Sequence, residues 1–346
     1  YLLIIHYFCS VFSLERIDMN LGVVLPCTLL YGGVKRFMEL GNIFIEMGHR
    51  FTVYSPDAQQ PDWFDFKGEV KLFEALKTDE LDALFFTEYR FIEEVLGANA
   101  KRRIFYHVSN DKQIKKIAKL KNVEVLACST NICEFDKKYG LNSFKAIGGV
   151  NLMNYTPKTD YSLGEDRPIY ILTYGRLAMR CKGVKYVVRA CEKLYRKGFN
   201  IKLLLFDTPV TPKGKKRLAE FKAKVPYEFI LNQPINKNSE MFNRADIYVA
   251  AEGQAGWSNT VAEAMACALP VVATTAGTKD LLFDNRTGLV CWRNSFSIRR
   301  NIKKLINDEK LRETLGRNGR INVENFDWHE LAKKIEGYLL SPAPIR

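Results

Sequence analysis

From residue 20 onward, short runs of apolar residues alternate with longer stretches whose apolar positions recur three and four apart. The runs fall at 21–25, 51–54, 83–86, 103–106 and 123–127, and then at 169–173, 201–206, 228–231, 246–250, 270–273 and 288–291. Strand-like runs in regular alternation with helical patterns predict parallel sheets covered by helices on both faces. The interval 151–168 follows neither period; it carries Pro157, Pro168, Gly164 and several polar residues, and reads as a linker. A chain of 346 residues is long enough for two domains, each with its own core. The expectation is an α/β protein with two Rossmann-like domains in tandem. Residues 19–155 are expected to form an N-terminal Rossmann-like domain and 160–324 a C-terminal Rossmann-like domain, with a last helix within 325–346 packing back across the hinge.

Residues 1–14 are apolar but shorter than the roughly 20 residues a bilayer-spanning helix needs. Met19 directly precedes the first clear strand, so residues 1–18 are read as a truncated anchor or an upstream translated tail. The eight cysteines are scattered without a C-x-x-C pair, the pattern of reduced, core-filling thiols in a cytoplasmic protein. Four histidines without ligand spacing, and the absence of D-x-D, argue against a metal site.

The net charge of +13 is unevenly placed. Residues 101–121 and 213–224 are both strongly basic, which favours anionic partners. Between 111 and 121, Ile114, Ile117 and Leu120 form an apolar stripe on a basic helix. That combination suggests a peripheral contact with an anionic membrane on its inner face, or with an acidic glycan. No nucleic-acid recognition module is visible.

Chemistry concentrates where strands end. Gly32 and Gly33 sit between the first strand and a helix, where the backbone can approach a ligand closely. His107 follows the 103–106 run. Arg176 and Lys182 flank a loop after the 169–173 run, where two cations can hold a diphosphate. Gly256, Trp257, Ser258, Asn259 and Thr260 form a polar turn opening a helix, and Glu263 lies one turn deeper. The free N–H groups and dipole of a helix start attract phosphate or sugar hydroxyls, and an inward carboxylate can accept hydrogen bonds from a ribose diol. No G-x-G-x-x-G or G-K-[ST] supports a dinucleotide cofactor or a P-loop.

Taken together, the Gly32-Gly33 turn, His107, the Gly175-Arg176…Lys182-Gly183 loop, the run 241–249, the run 263–274 and the Gly277…Thr287-Gly288 segment make the chain resemble family-4 retaining glycosyltransferases of the GT-B fold, glycosyl transferases group 1. The resemblance implies two parallel-sheet domains facing across a cleft, the N-terminal one for an acceptor and the C-terminal one for a nucleotide-sugar donor. It implies that Arg176 and Lys182 bind the donor diphosphate, Glu263 the ribose, and His107 the neighbourhood of the donor sugar. Gly32, Gly33 and the 256–260 turn would approach phosphates and sugar. Ala255 stands where the family usually has a second Glu, with Glu252 or Gln254 as nearby substitutes, and a loop one residue longer than usual sets Arg180 beside Lys182 as a candidate.

The function expected is transfer of a sugar from a nucleotide-diphosphate sugar of UDP or GDP type to a glycan, lipid-linked or other hydroxyl acceptor. It would retain configuration without a metal or other cofactor, in the manner of polysaccharide biosynthesis. The alternatives are a sugar-nucleotide epimerase or hydrolase of the same fold, or a catalytically silent nucleotide-sugar-binding protein.

Overall fold

The computed structural model describes residues 18–164 and 166–343, so the expectation for the N-terminal tail lies almost wholly outside the described residues. Every strand expected from the apolar runs is present. In the first domain the strands are β1 (Asn20–Val24), β2 (Arg50–Tyr54), β3 (Glu69–Lys71), β4 (Leu81–Phe86), β5 (Ala100–His107), β6 (Glu124–Ala127) and β7 (Phe144–Lys145). In the second they are β8 (Ile169–Tyr174), β9 (Ile201–Asp207), β10 (Tyr227–Leu231), β11 (Ile247–Ala250), β12 (Val271–Ala273) and β13 (Leu289–Val290). The first domain is a seven-stranded sheet ordered β3-β2-β1-β4-β5-β6-β7, and the second a six-stranded sheet ordered β10-β9-β8-β11-β12-β13. All pairings between the strands of both sheets are parallel. The strands that matter for the site are β1, β4 and β5 in the first domain, and β8, β9 and β11 in the second. Strand order reverses between β1 and β4 and again between β8 and β11, and crevices for ligands open at such points beyond the carboxyl ends of the strands.

The linker joins the second domain early. Tyr155 packs edge-on against Phe242, the Lys158 N–H donates to the Cys267 carbonyl at 2.8 Å, and Tyr161 Oη donates to Ala268 O at 3.0 Å. The last helix, Trp328–Leu340, returns to the first domain and packs along the helix Gly32–Glu46. Trp328 is almost fully buried, and the Arg36 guanidinium lies 5.2 Å from its ring centroid and from that of Tyr106. One continuous apolar core therefore runs from β1 and β5 through this helix into Tyr248 and Met265 of the second domain. Burying so much shared apolar surface holds the two domains together more firmly than a linker alone could.

The apolar stripe on the basic segment requires a correction. The helix there is only Ile114–Ile117, and both isoleucines are fully buried in the first-domain core beside Phe86 and Phe105. The stripe is used up inside the protein, so it cannot rest on a membrane. No helix among the described residues is long and apolar enough to cross one.

Among the described residues, Cys128, Cys133, Cys191, Cys267 and Cys291 are buried, while Cys27 and Cys181 are half-buried. Burial pushes the Cys128 thiol up to about 11 and those of Cys191, Cys267 and Cys291 to about 12, which suppresses the reactive thiolate at pH 8. A maleimide reagent at pH 8, followed by peptide mapping, is expected to modify Cys27 and Cys181 at least about a hundredfold faster than these four. Equal rates in the folded protein would contradict the packing described here.

Candidate functional site

The site lies where the carboxyl ends of the two sheets face each other, in a cleft of about 240 Å³. The first domain contributes the start of the helix Gly32–Glu46, with Leu30, Tyr31, Gly32 and Lys35 on the wall. The second domain contributes four segments. After β8 come Arg176, Met179 and Lys182; at the end of β9, Asp207 and Thr208; after β10, Gln233, Ile235 and Asn238; after β11, Glu252 and the turn leading into the helix Asn259–Ala266. Trp257, Ser258, Asn259, Thr260 and Glu263 all line the cleft.

Local sequence explains each placement. Gly183 adopts φ +68°, and a Cβ on it would stand 2.0 Å from the Ala251 carbonyl oxygen. Only glycine allows the loop after β8 to press against the end of β11. That contact seats Lys182 beside Glu252, to which its ammonium donates a hydrogen bond, and within 5.5 Å of the Tyr174 ring centroid. Arg180, two residues earlier, is exposed and faces the outer side of the loop, so the structure brings Lys182 and not Arg180 into the cleft. Arg176 is 9% exposed; its Nη1 donates to Tyr174 Oη at 2.8 Å and its guanidinium lies 5.1 Å from the Tyr31 ring centroid. Burial raises the Asp207 carboxyl above the usual carboxylate range, opposed by the Arg176 charge. Burial likewise raises the Tyr174 hydroxyl to about 12, again opposed by Arg176.

The helix Asn259–Ala266 begins at Ser258, whose side chain makes no capping hydrogen bond and whose Oγ is buried without a partner. The first N–H groups of an α-helix have no intrahelical acceptor, and here Ser258, Asn259 and Thr260 put that helix start on the cleft wall. A second helix start, that of Gly32–Glu46, approaches from the other domain; a Cβ on Gly32 would be 3.2 Å from Asn259 Nδ2. Gly33 instead faces Val108. Gly256 lets the domains meet, since a Cβ there would lie 2.1 Å from the Val108 carbonyl oxygen.

Glu263 is buried one turn into its helix, and its Oε1 accepts a 2.5 Å hydrogen bond from Lys35 Nζ of the opposite domain. Burial lowers the Lys35 pKa, but the Glu263 and Glu39 carboxylates more than offset this, so the net shift is upward and the ammonium stays charged. Lys35 was not expected from the sequence, although a signal existed. It lies in the first turn of a helix that holds no acid there, and a cation against the positive end of a dipole points to an anionic neighbour. Asp207 was missed as well; a lone carboxylate closing the apolar run of β9 was its only mark.

His107 does not line the cleft. Its ring is buried on the opposite face of β5, 5.3 Å from the Phe105 centroid, with Nδ1 2.6 Å from Asp136 Oδ1 and Nε2 unpartnered. Of the nearby substitutes for the missing glutamate, Glu252 is in the cleft with Oε2 buried and unpartnered, whereas Gln254 is exposed and donates to the Asn110 carbonyl. Among the described residues, no cluster of three metal-ligating side chains is found.

Two parallel-sheet domains with a cleft between the carboxyl ends of their strands define the GT-B architecture. The chain shares that fold with sucrose-phosphate synthase from Thermosynechococcus elongatus, with TM-score 0.76 and 17% identity over 93% of this chain and 98% of that one. It shares it also with Anabaena HepE, solved in complex with UDP and glucose, with TM-score 0.76 and 14% identity over 94% of this chain and 100% of that one. More specifically, residues 158–322 match the family model described as glycosyl transferases group 1. The capsular polysaccharide biosynthesis glycosyltransferase CapM of Staphylococcus aureus is 28% identical over 177 residues, which are 49% of this chain and 47% of CapM. The chain thus spans about half the length of that curated relative.

Proposed function

We propose that the protein is a glycosyltransferase that moves a hexosyl group from a nucleotide-diphosphate sugar to a hydroxyl of a glycan or lipid-linked acceptor, with retention of configuration and without a metal. The observation that carries this reading is the convergence, in one cleft, of Arg176, Lys182, Glu263 and the open start of the helix Asn259–Ala266. This convergence falls inside the region that matches glycosyl transferases group 1. HepE, of the same fold, was solved with UDP and glucose, which favours a nucleotide-sugar donor here.

The donor diphosphate would lie between Arg176, Lys182 and the helix start, whose positive groups offset the charge that grows on the leaving phosphate. Glu263 would accept hydrogen bonds from the ribose diol, sharing or giving up its bond to Lys35. Glu252 is tied to Lys182, and burial favours the protonated form of Asp207, so neither is placed as a free nucleophile. The course proposed is front-face attack. The acceptor oxygen bonds to the anomeric carbon as the bond from that carbon to the phosphate oxygen breaks, and the leaving phosphate takes the hydroxyl proton. Two side-chain cations, and a chain without D-x-D, support doing this without a metal.

A thermal-shift panel of UDP- and GDP-sugars, with product analysis for the donor that stabilises the protein, tests the reading. One donor should raise the melting temperature, and a new glycoside with the donor's anomeric configuration should form on a supplied acceptor. Binding with no product favours a silent sugar-nucleotide-binding protein, and free sugar alone favours a hydrolase.

A further inference from the structure

A second concavity of about 1020 Å³ lies on the outer side of the loop after β8, separated from the donor cleft by that loop; Met179 lines both. Its walls are the helix Val184–Tyr195, the helix Pro212–Ala219 with the segment after it, and the Arg293 side chain. Besides Arg293, six cations line it: Arg180, Lys185, Arg189, Lys213, Arg217 and Lys222. All six are exposed, and none of them forms an ion pair among the described residues. Two acids share the groove, and both are turned to other uses. Glu192 Oε1 accepts from the Lys224 N–H at 2.9 Å, and Glu220 lies 3.9 Å from Lys216.

Arg293 plays a different part. It donates to the carbonyls of Ala251, Arg180 and Cys181 and lies 5.2 Å from the Tyr186 ring centroid, so it fixes the floor. Tyr186 and Phe221 are half-buried beside the charges, the Tyr186 ring centroid lying 4.9 Å from the Lys185 ammonium. Crowded like charges raise the free energy of a folded surface unless a counter-charge is bound. A concave basin suits a single chain better than the plane of a bilayer.

We infer that this groove binds an anionic glycan, with carboxylate, sulfate or phosphate groups on the six cations and sugar rings against Tyr186 and Phe221. The binding itself does not rest on the transferase reading.

The test uses the full chain and a fluorescent heparin-derived octasaccharide, with maltooctaose as the neutral glycan of equal length. A uridine decanucleotide and vesicles containing phosphatidylserine are run as competitors. The double variant Arg189→Glu/Arg217→Glu reverses two exposed charges outside the donor cleft. Wild type should bind the heparin octasaccharide and not maltooctaose, with affinity falling as salt rises from about 50 to about 300 mM. The double variant should bind at least about tenfold more weakly while its nucleotide-sugar thermal shift stays unchanged. Equal binding by variant and wild type would overturn the inference, as would equal binding of the neutral octasaccharide. Tighter, groove-dependent binding of the oligonucleotide or the vesicles would replace it with that partner. Intact heparin binding without any nucleotide-sugar shift would leave the groove standing and remove the transferase reading.

Discussion

Arg176→Ala is expected to lower kcat/KM for glycosyl transfer by about 10²- to 10³-fold, the usual loss when one preorganised group that stabilises developing charge is removed. Arg176 is the one cation of the cleft that forms no ion pair among the described residues; Lys35 is held by Glu263 and Lys182 by Glu252. Its charge is therefore available to a diphosphate without breaking an existing pair. Its hydrogen bond to Tyr174 and its place against the Tyr31 ring aim the guanidinium in advance. Arg176→Lys should recover only part of the loss, because an ammonium keeps the charge but not the planar fork. Folding should change little, since the side chain stands at a cleft wall and not in a hydrophobic core; circular dichroism and melting curves check this. An alanine variant with wild-type kcat/KM would remove Arg176 from the site.

Gly256→Ala is expected to cost about 10²-fold in turnover, through geometry and not through chemistry. The added methyl group would meet the Val108 carbonyl oxygen at 2.1 Å and its carbon at 2.7 Å, with Cys128 Sγ at 3.0 Å. The first two are backbone atoms at the end of β5, which cannot swing aside as a side-chain tip can. The turn carrying Trp257 and Ser258 would have to withdraw from the first domain by about 1 Å, and closely packed interfaces transmit such shifts. The start of the helix Asn259–Ala266 would move with it, away from Gly32 and Lys35. Gly97→Ala serves as a control, because its methyl would meet nothing within 4 Å. Steady-state kinetics on both variants decide the matter, and wild-type turnover by Gly256→Ala would refute the close approach.

Nine of the eleven strands legible in the sequence lie in the middle of the sheets, where both faces demand apolar residues and the run stands out; the edge strands β10 and β13 were legible too. Two were missed, β3 (Glu69–Lys71) and β7 (Phe144–Lys145). Both are short edge strands that pair on one side only, and their residues are half-buried or exposed, so no apolar run marks them. The Ile114–Ile117 stripe shows the converse: amphipathic spacing marks a face that must be buried, but it does not say what buries it.

Chain-local chemistry determined that this protein would have two parallel-sheet domains, that cleft-lining loops follow β1, β8 and β11, and that Arg176, Lys182 and the 256–263 segment lie there. These features follow from periodicity, glycine and charge within a few residues of one another, and so the sequence carries them openly. Tertiary structure alone decided the rest. It turned His107 to the far face of β5, chose Lys182 over Arg180 through the left-handed turn at Gly183, and brought Lys35 across to Glu263. The reason is physical: the direction of a side chain and its partner 228 residues away depend on how separate surfaces pack, and no local pattern encodes that distance.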